Sequence, residues 1–345
     1  MPINIFTPLP PLPSPAPGGT AAPAPQTTPT TPAPQSEPPV TPQSALQTAL
    51  ATLRQTSASK QDGMAGLMAN ALRVLTSPSL PPQVQAAVQQ LAALHLPTDK
   101  MPTPADIKAA MQNSGLFTEA ELGKSGEPPA DLKTALGRLN AAARDWAAQN
   151  ADAEKPELPA QSPSVPPPTR GAAPAGQAAA SATLPKGADP AMAAKLLEAG
   201  SDAALARQNL LQLASLPDPQ QTKPEPRYVL DMPLMTPQGP AVAQLVVERD
   251  SRGTSAERPE PVWRVALALN LEPLGPVRAN LALCGEHAWV TIAAERPEAL
   301  EKLQKESGWL NDALTGASLE ADVAFQSTAK TASNPALEAY RKGEA

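Results

Sequence analysis

The stretch from Trp263 to Cys284 constrains the fold of this chain more than any other part of it. Apolar and polar side chains alternate in two runs, which are separated by Pro273-Leu274-Gly275. Alternation with a period of two predicts a β-hairpin with one buried face. Proline fixes φ and glycine tolerates a positive φ, as a tight connection requires. The apolar face is predicted to comprise Trp263, Val265, Leu267, Leu269 and Leu271 on the first strand and Val277, Ala279, Leu281 and Leu283 on the second.

Alternating and helical patterns on both sides of the hairpin predict the rest of a C-terminal domain. Strands are expected over 228–234 and 241–248 before the hairpin, and over 287–294 after it. A helical pattern then starts at Pro297, as one bent helix or two short ones, and a last strand follows over 319–325. Strands followed by a helix and another strand predict a small α+β domain with a mostly antiparallel sheet.

Composition predicts a long and largely disordered arm before this domain. The chain has 345 residues, of which 45 are proline and 3% are aromatic. Such a composition buries too little apolar surface to offset the entropy of ordering the whole length. We expect six regions: a disordered Pro-rich tail over 1–42, short and loosely folded Ala-rich helices over 43–150, a Pro/Ala-rich linker over 151–187, a helical segment over 188–217, the domain over 225–328 and a polar tail over 329–345.

Local signals place the short helices of the arm. Helical patterns begin at Thr103-Pro104 and at Asp131-Leu132, and Asp189 precedes another as an N-cap residue, with Pro190 at the first helical position. The helix after Asp189 is expected in two pieces that end before Pro217. Leucine or valine residues share one helical face at Leu46, Leu50 and Leu53, at Val84, Val88 and Leu91, and at Leu132, Leu136 and Leu139, which predicts helices that form a loose bundle or are marginal alone.

Charge and cysteine content disfavour several kinds of partner and environment. The net charge is −6 without a basic cluster, so neither nucleic acid nor an anionic membrane surface is expected as a partner. No run approaches the roughly 20 apolar residues that cross a bilayer, so no membrane insertion is expected. The single cysteine, Cys284, excludes an intrachain disulfide. The proline-interrupted N-terminus is not typical of a cleavable secretory signal.

Residues with catalytic or ligand chemistry do not form a convincing site in the sequence. Gly123-Lys124-Ser125 has neither the upstream glycine nor the preceding strand of a phosphate-binding loop. Cys284 and His287 are two ligands where a metal site needs three or four. No cofactor and no enzymatic activity are therefore expected.

Two features of the domain have a structural and a functional interpretation. Trp263 and Trp289 are expected in the core rather than on a ligand-stacking surface. The connection Pro273-Leu274-Gly275 is either hairpin geometry alone or an exposed recognition loop that presents Leu274 to a partner.

The run LALNLEPLGPVRANLAL resembles the signature L-x-L-x-P-x-x-L-G-x-V-x-V-x-L of the flagellar hook-length control protein family. The following PEALEKLQKESGWLNDALTGASLEADVAF is similar to the family's leucine-spaced helix, glycine and final strand. The resemblance covers 205–326 well and 110–146 weakly. The spacing between proline and leucine is shorter here than in many members, and Pro276 follows the glycine directly.

The resemblance implies a monomeric regulator that is exported through the flagellar type III apparatus, from the cytoplasm to the flagellum. Its N-terminal part would act as a molecular ruler in contact with hook and hook-cap subunits. Its C-terminal domain would contact the cytoplasmic domain of the export-gate switch protein, and export would change from hook to filament subunits. The residues carried over to this switch loop are Pro273, Leu274, Gly275 and Val277.

Two other functions remain open on the sequence. One is the needle-length regulator of an injection-type secretion system, which shares the domain. The other is a Pro-rich cytoplasmic scaffold, whose domain would bind an unrelated protein without any dependence on export.

Overall fold

A computed structural model describes residues 42–77, 79–150, 165–217, 225–250 and 261–327. The predicted tails lie outside these ranges, apart from Pro42, and so does the first part of the predicted linker, over 151–164. The described residues from Gln43 onward belong to one compact unit. Their helices are α1 (Pro42–Lys60), α2 (Met64–Val74), α3 (Pro82–Ala92), α4 (Pro104–Gln112), α5 (Thr118–Ser125), α6 (Leu132–Gln149), α7 (Pro190–Ser215), α8 (Pro297–Lys305) and α9 (Ser307–Gly316).

The strands form one sheet in which their spatial order follows the sequence. All neighbours pair antiparallel except β1 with β2 and β6 with β7, which pair in parallel. This confirms the predicted α+β class with a mostly antiparallel sheet. The strands are β1 (Leu96–Pro97), β2 (Arg227–Thr236), β3 (Gly239–Asp250), β4 (Val262–Leu271), β5 (Gly275–Cys284), β6 (His287–Ala294) and β7 (Glu320–Ser327).

The helices between residues 64 and 215 build a large core. Buried side chains of α2, α3, α6 and α7 form one apolar cluster, which also includes Val242 of β3. The apolar faces of α3 and α6 are buried, whereas Leu46 and Leu53 of α1 are exposed. The N-cap predicted at Asp189 is present, and Thr103 and Asp131 also cap their helices; Asp131, for example, accepts a hydrogen bond from the Thr134 amide at 2.8 Å.

The prediction of two helical pieces after Asp189 was wrong, because α7 runs without a break from Pro190 to Ser215. Gly200, in its middle, lies against Leu67 of α2. The hydroxyl of the following residue, Ser201, donates to the Leu197 carbonyl at 2.7 Å, within the helix. Gly200 therefore lets two helices pack closely without interrupting α7.

Residues 165–187, which were expected to be a linker, are instead packed against the helices and the sheet. The pairing of β3 with β4 begins only at Gln244, and Gln177 takes the free position on β3 beside Val242. Both backbone hydrogen bonds of this bridge are formed, at 2.8 and 3.1 Å. We call residues 175–180 the inserted segment. Most of its side chains are small, as is typical of a linker, and this allows the inserted segment to approach the sheet closely.

A buried polar cluster joins the inserted segment, the helices and the sheet. Arg207 of α7 and Asp231 of β2 form an ion pair with both side chains buried, and Nε lies 2.5 Å from Oδ2. Gln177 and Gln244 donate to the same carboxylate at 3.4 and 3.0 Å. The guanidinium also donates to Gln61, just after α1, at 3.2 Å. Since buried charges are costly unless paired and hydrogen-bonded, these contacts hold the elements in one arrangement.

Candidate functional site

The connection between β4 and β5 is the candidate site predicted from the sequence. Glu272 and Pro273 are exposed, Leu274 is half-buried and Gly275 is buried. The peptide bond between Glu272 and Pro273 is cis, and Gly275 has a φ of 71°. We call Glu272–Gly275 the hairpin turn.

Arg296, the N-cap residue of α8, lies against the hairpin turn. Its two terminal nitrogens donate to the two carboxylate oxygens of Glu272 at 2.7 and 2.8 Å. Nη1 also donates to the carbonyl of Pro273 at 2.9 Å. One guanidinium thus binds a side chain and the backbone of the same turn.

The electrostatic effect of this contact is mutual. The hydrogen bond and the charge of Arg296 lower the pKa of Glu272, and burial opposes them only in part. The carboxylate in turn raises the pKa of Arg296, first through the same hydrogen bond. Both groups are therefore charged at neutral pH, and the contact is a charge-assisted fork of the kind that arginine forms with carboxylates.

Of the residues predicted for the site, Pro273, Leu274 and Gly275 lie together in the hairpin turn. Val277 lies further along β5, between Leu269 of β4 and Ala294 of β6. This geometry does not test whether these residues bind a partner, so that role stays a prediction. The sequence did not point to Arg296, since no local motif links a residue after β6 to a turn before β5.

The predicted apolar face of the hairpin continues from the hairpin turn across the middle of the sheet. Its side chains are half-buried, except for Trp263, which is exposed. The fully buried hairpin residues include Ala268, Ala282 and Cys284 on the opposite face, where small side chains allow close packing. The apolar face is therefore partly open to solvent, and on β4 Val265, Leu267, Leu269 and Leu271 pack against the buried cluster of β2 and β3.

The two tryptophans of the domain have different environments. Trp289 is buried and packs with Ala282 and Cys284, as predicted. Trp263 is 37% exposed, so its assignment to the core was wrong. The Arg249 guanidinium lies 6.0 Å from the centre of its ring. This distance is at the limit of a cation–π contact. Such a contact favours a position of the Trp263 ring at the surface, beside the charged side chain.

The motifs with other chemistry occupy structural positions. Gly123-Lys124-Ser125 lies at the end of α5, where carbonyl groups rather than amides are unpaired, and Lys124 pairs with Glu121 at 2.8 Å. Cys284 and His287 are cross-strand neighbours on β5 and β6. In the described ranges, no group of three acidic, His or Cys residues could hold a metal ion. Among the same residues, no helix is long and apolar enough to cross a membrane.

The comparisons with known proteins identify one region of the chain. No curated protein and no solved structure matches the chain. Residues 251–334, which contain β4 to β7, α8, α9 and the hairpin turn, match the family model described as flagellar hook-length control protein FliK. The C-terminal region of this chain is therefore a hook-length control domain of that family.

Proposed function

We propose that this protein controls flagellar hook length as an exported ruler, and that its C-terminal domain switches type III export from hook to filament subunits. The observation that carries the proposal is the position of the hairpin turn within the matched region. It lies at one end of the half-exposed apolar face and presents Leu274 partly to solvent.

The partner proposed for this end of the domain is the cytoplasmic domain of the export-gate switch protein. Leu274 and the adjoining apolar face supply the kind of surface that protein interfaces bury at their centre. The hook and hook-cap subunits are the partners proposed for the N-terminal part. Neither role requires a cofactor or a catalytic group.

The ruler role requires that the helical part unfold for export. Residues 1–187 would span several hundred Å if extended at roughly 3 Å per residue. Folded helices are much shorter, and their core is continuous with the sheet. We propose that residues 1–187 pass through the export channel unfolded, and that the C-terminal domain acts on the cytoplasmic side together with α7, which packs on its sheet.

Deletion of the gene, followed by electron microscopy of isolated hooks, tests this function. Overlong hooks without filaments would support both the ruler and the switch. Normal flagella together with injection needles of altered length would favour the needle-length regulator. Normal flagella and normal needles would leave the scaffold function as the better explanation.

The variant Leu274→Asp tests the hairpin turn itself. Because Leu274 is half-buried at a turn, the charged side chain can reach water, and we expect the domain to stay folded. We expect the same variant to abolish the switch, giving long hooks without filaments. Leu122→Asp, at a leucine of α5 that is 41% exposed, is the matched control and should switch normally. Normal switching by Leu274→Asp would mean that the hairpin turn only connects two strands.

A further inference from the structure

We propose that Arg296 is a positioning residue for the switch: it holds the hairpin turn in the conformation that presents Leu274 to the partner. The inference rests on the proposed function of the hairpin turn and adds to it a residue outside that turn. Arg296 is separated from the turn by all of β5 and β6, and the fold brings the two together.

The first argument is the number and direction of the hydrogen bonds. The guanidinium donates to both oxygens of Glu272 and to the carbonyl of Pro273, at 2.7 to 2.9 Å. A planar fork with fixed donor directions orients its acceptors, which a lysine ammonium does not do. The side chain and the backbone just before Leu274 are therefore held at the same time.

The second argument is the absence of a side chain at Gly275. A Cβ at this position would lie 2.7 Å from Nε and 2.9 Å from Cζ of Arg296. The backbone after Leu274 therefore rests directly on the guanidinium. With the hydrogen bonds to Glu272 and Pro273, contacts to Arg296 flank Leu274 on both sides in the sequence.

The third argument is the attachment of Arg296 itself. It is the N-cap residue of α8, so its backbone is fixed by the start of a helix. The neighbouring amide of Glu295 donates to the carbonyl of Pro276 at 3.2 Å. The hairpin turn and the beginning of α8 are thus joined at two points, one on each side of Gly275.

Energetics separate this role from a role in general stability. The side chains of Arg296 and Glu272 are 45% and 54% exposed, and exposed ion pairs contribute little to the stability of a fold. Loss of the pair should therefore leave unfolding almost unchanged. It should instead increase the number of conformations of the hairpin turn, and binding must then order the turn again.

The test compares binding and local order in full-length variants. Binding of the purified cytoplasmic domain of the switch protein is measured by calorimetry, and order of the turn by amide hydrogen exchange. We expect Arg296→Ala to weaken binding roughly tenfold, the order expected when about one residue must be ordered on binding. Exchange of the amides of Leu274 and Gly275 should become faster, and thermal unfolding should not change.

Two further variants and a control sharpen the comparison. Arg296→Lys keeps the charge without the fork, so its affinity should lie between those of the wild type and Arg296→Ala. Gly275→Ala should also weaken binding, because its methyl group displaces the guanidinium and the positive φ is strained. Arg144→Ala removes another exposed arginine, which pairs with Glu198 at 3.2 Å far from the turn in sequence, and should bind as the wild type.

The outcomes distinguish this inference from the proposed function. If Leu274→Asp loses binding but Arg296→Ala keeps wild-type affinity and slow amide exchange, the positioning role is wrong and the switch loop stands. If Leu274→Asp binds normally, or the wild type does not bind, the proposed function of the turn fails and the inference fails with it. A full rescue by Arg296→Lys would also overturn it, since charge alone would then suffice.

Discussion

Gly176 marks the point at which the inserted segment meets β4. A Cβ on this residue would lie 2.9 Å from the Ala268 carbonyl oxygen and from the backbone of Leu269. Backbone atoms of a paired strand move far less easily than the end of a flexible side chain. The absence of a side chain is therefore what lets the inserted segment occupy the gap between β3 and β4.

We predict that Gly176→Ala destabilises the protein by about 1–3 kcal/mol, because added atoms in a well-packed site force the backbone to shift. The measurement is the midpoint of denaturant unfolding of the full chain. Gly137→Ala on α6 is the matched control, since a Cβ there has nothing within 4 Å. Alanine in a helix should raise stability by up to about 1 kcal/mol. Equal effects of the two variants would contradict the close contact.

Arg296, like Gly176, owes its role to a contact with residues that are distant in the sequence. Its sequence context indicates only the start of a helix, because Pro297 occupies the first helical position. Its contact with the hairpin turn arises because β5 and β6 return the chain to that end of the sheet. A side chain of this kind is found in a structure and not in a local motif.

At the scale of elements, α4 is an exposed helix with a complete capping box. The Thr103 hydroxyl accepts from the Asp106 amide at 3.2 Å, and Asp106 accepts from the Thr103 amide at 2.8 Å. Hydrogen bonds from Thr103, the hydroxyl first and the amide second, lower the pKa of Asp106 below its ordinary 3.8. No residue of α4 is buried, so the cap rather than packing holds its first turn.

The sign of the pH dependence follows from the lowered pKa. The cap contributes fully above the unfolded pKa, and its contribution is lost as the pH falls through the lower folded value. We predict that Thr103→Ala loosens the first turn of α4 at neutral pH. The change in chemical shift that the wild type shows in acid should be smaller in this variant. NMR chemical shifts of residues 104–107, followed from about pH 6 to about pH 2, measure both effects.

The matched control for this helix is Thr52→Ala on α1. The Thr52 hydroxyl donates to the carbonyl of Thr48 within the helix at 3.0 Å and caps nothing. Since alanine has the higher helix propensity, this variant should leave the shifts of α4 unchanged and α1 no less ordered. Unchanged shifts for Thr103→Ala at neutral pH would show that the cap is not needed.

Elements with local signals could be predicted from the sequence, and those made by distant contacts could not. The helix starts at Thr103, Asp131 and Asp189 depend on adjacent residues, and the strands depend on alternation within each run. The sequence around the inserted segment predicts a linker, because the alanine, proline and glycine residues of 151–187 carry no periodic pattern. The more buried face of the hairpin was missed because alanines give a weak hydrophobic signal, although their small size permits the closest packing.

At the scale of the whole molecule, the matched region is only part of one sheet. Residues 251–334 contain β4 to β7, while β2 and β3 pack against the helices. The ion pair of Arg207 and Asp231 crosses from α7 to β2, before the matched region begins. The domain that carries the hairpin turn therefore packs on α7, which shares its core with α2, α3 and α6, the helices that the ruler function would require to unfold.

This continuity predicts that a fragment over 225–345 does not fold as a stable unit, although it contains the whole C-terminal domain expected from the sequence. Removal of α7 exposes the apolar side chains of Val229 and Val246 and leaves Asp231 without Arg207. Leaving a buried charge unpaired costs about 3–5 kcal/mol, against a total stability of about 5–15 kcal/mol.

In the full chain, circular dichroism, which reports the helices, and tryptophan fluorescence should therefore show one coincident denaturant transition. The fragment should instead show a broad transition or none, whereas a fragment over 165–345, which keeps α7 and the inserted segment, should recover part of the cooperativity. A sharp transition of the shorter fragment at the midpoint of the full chain would mean that the hook-length control domain folds independently and that the polar cluster only docks the helices onto it.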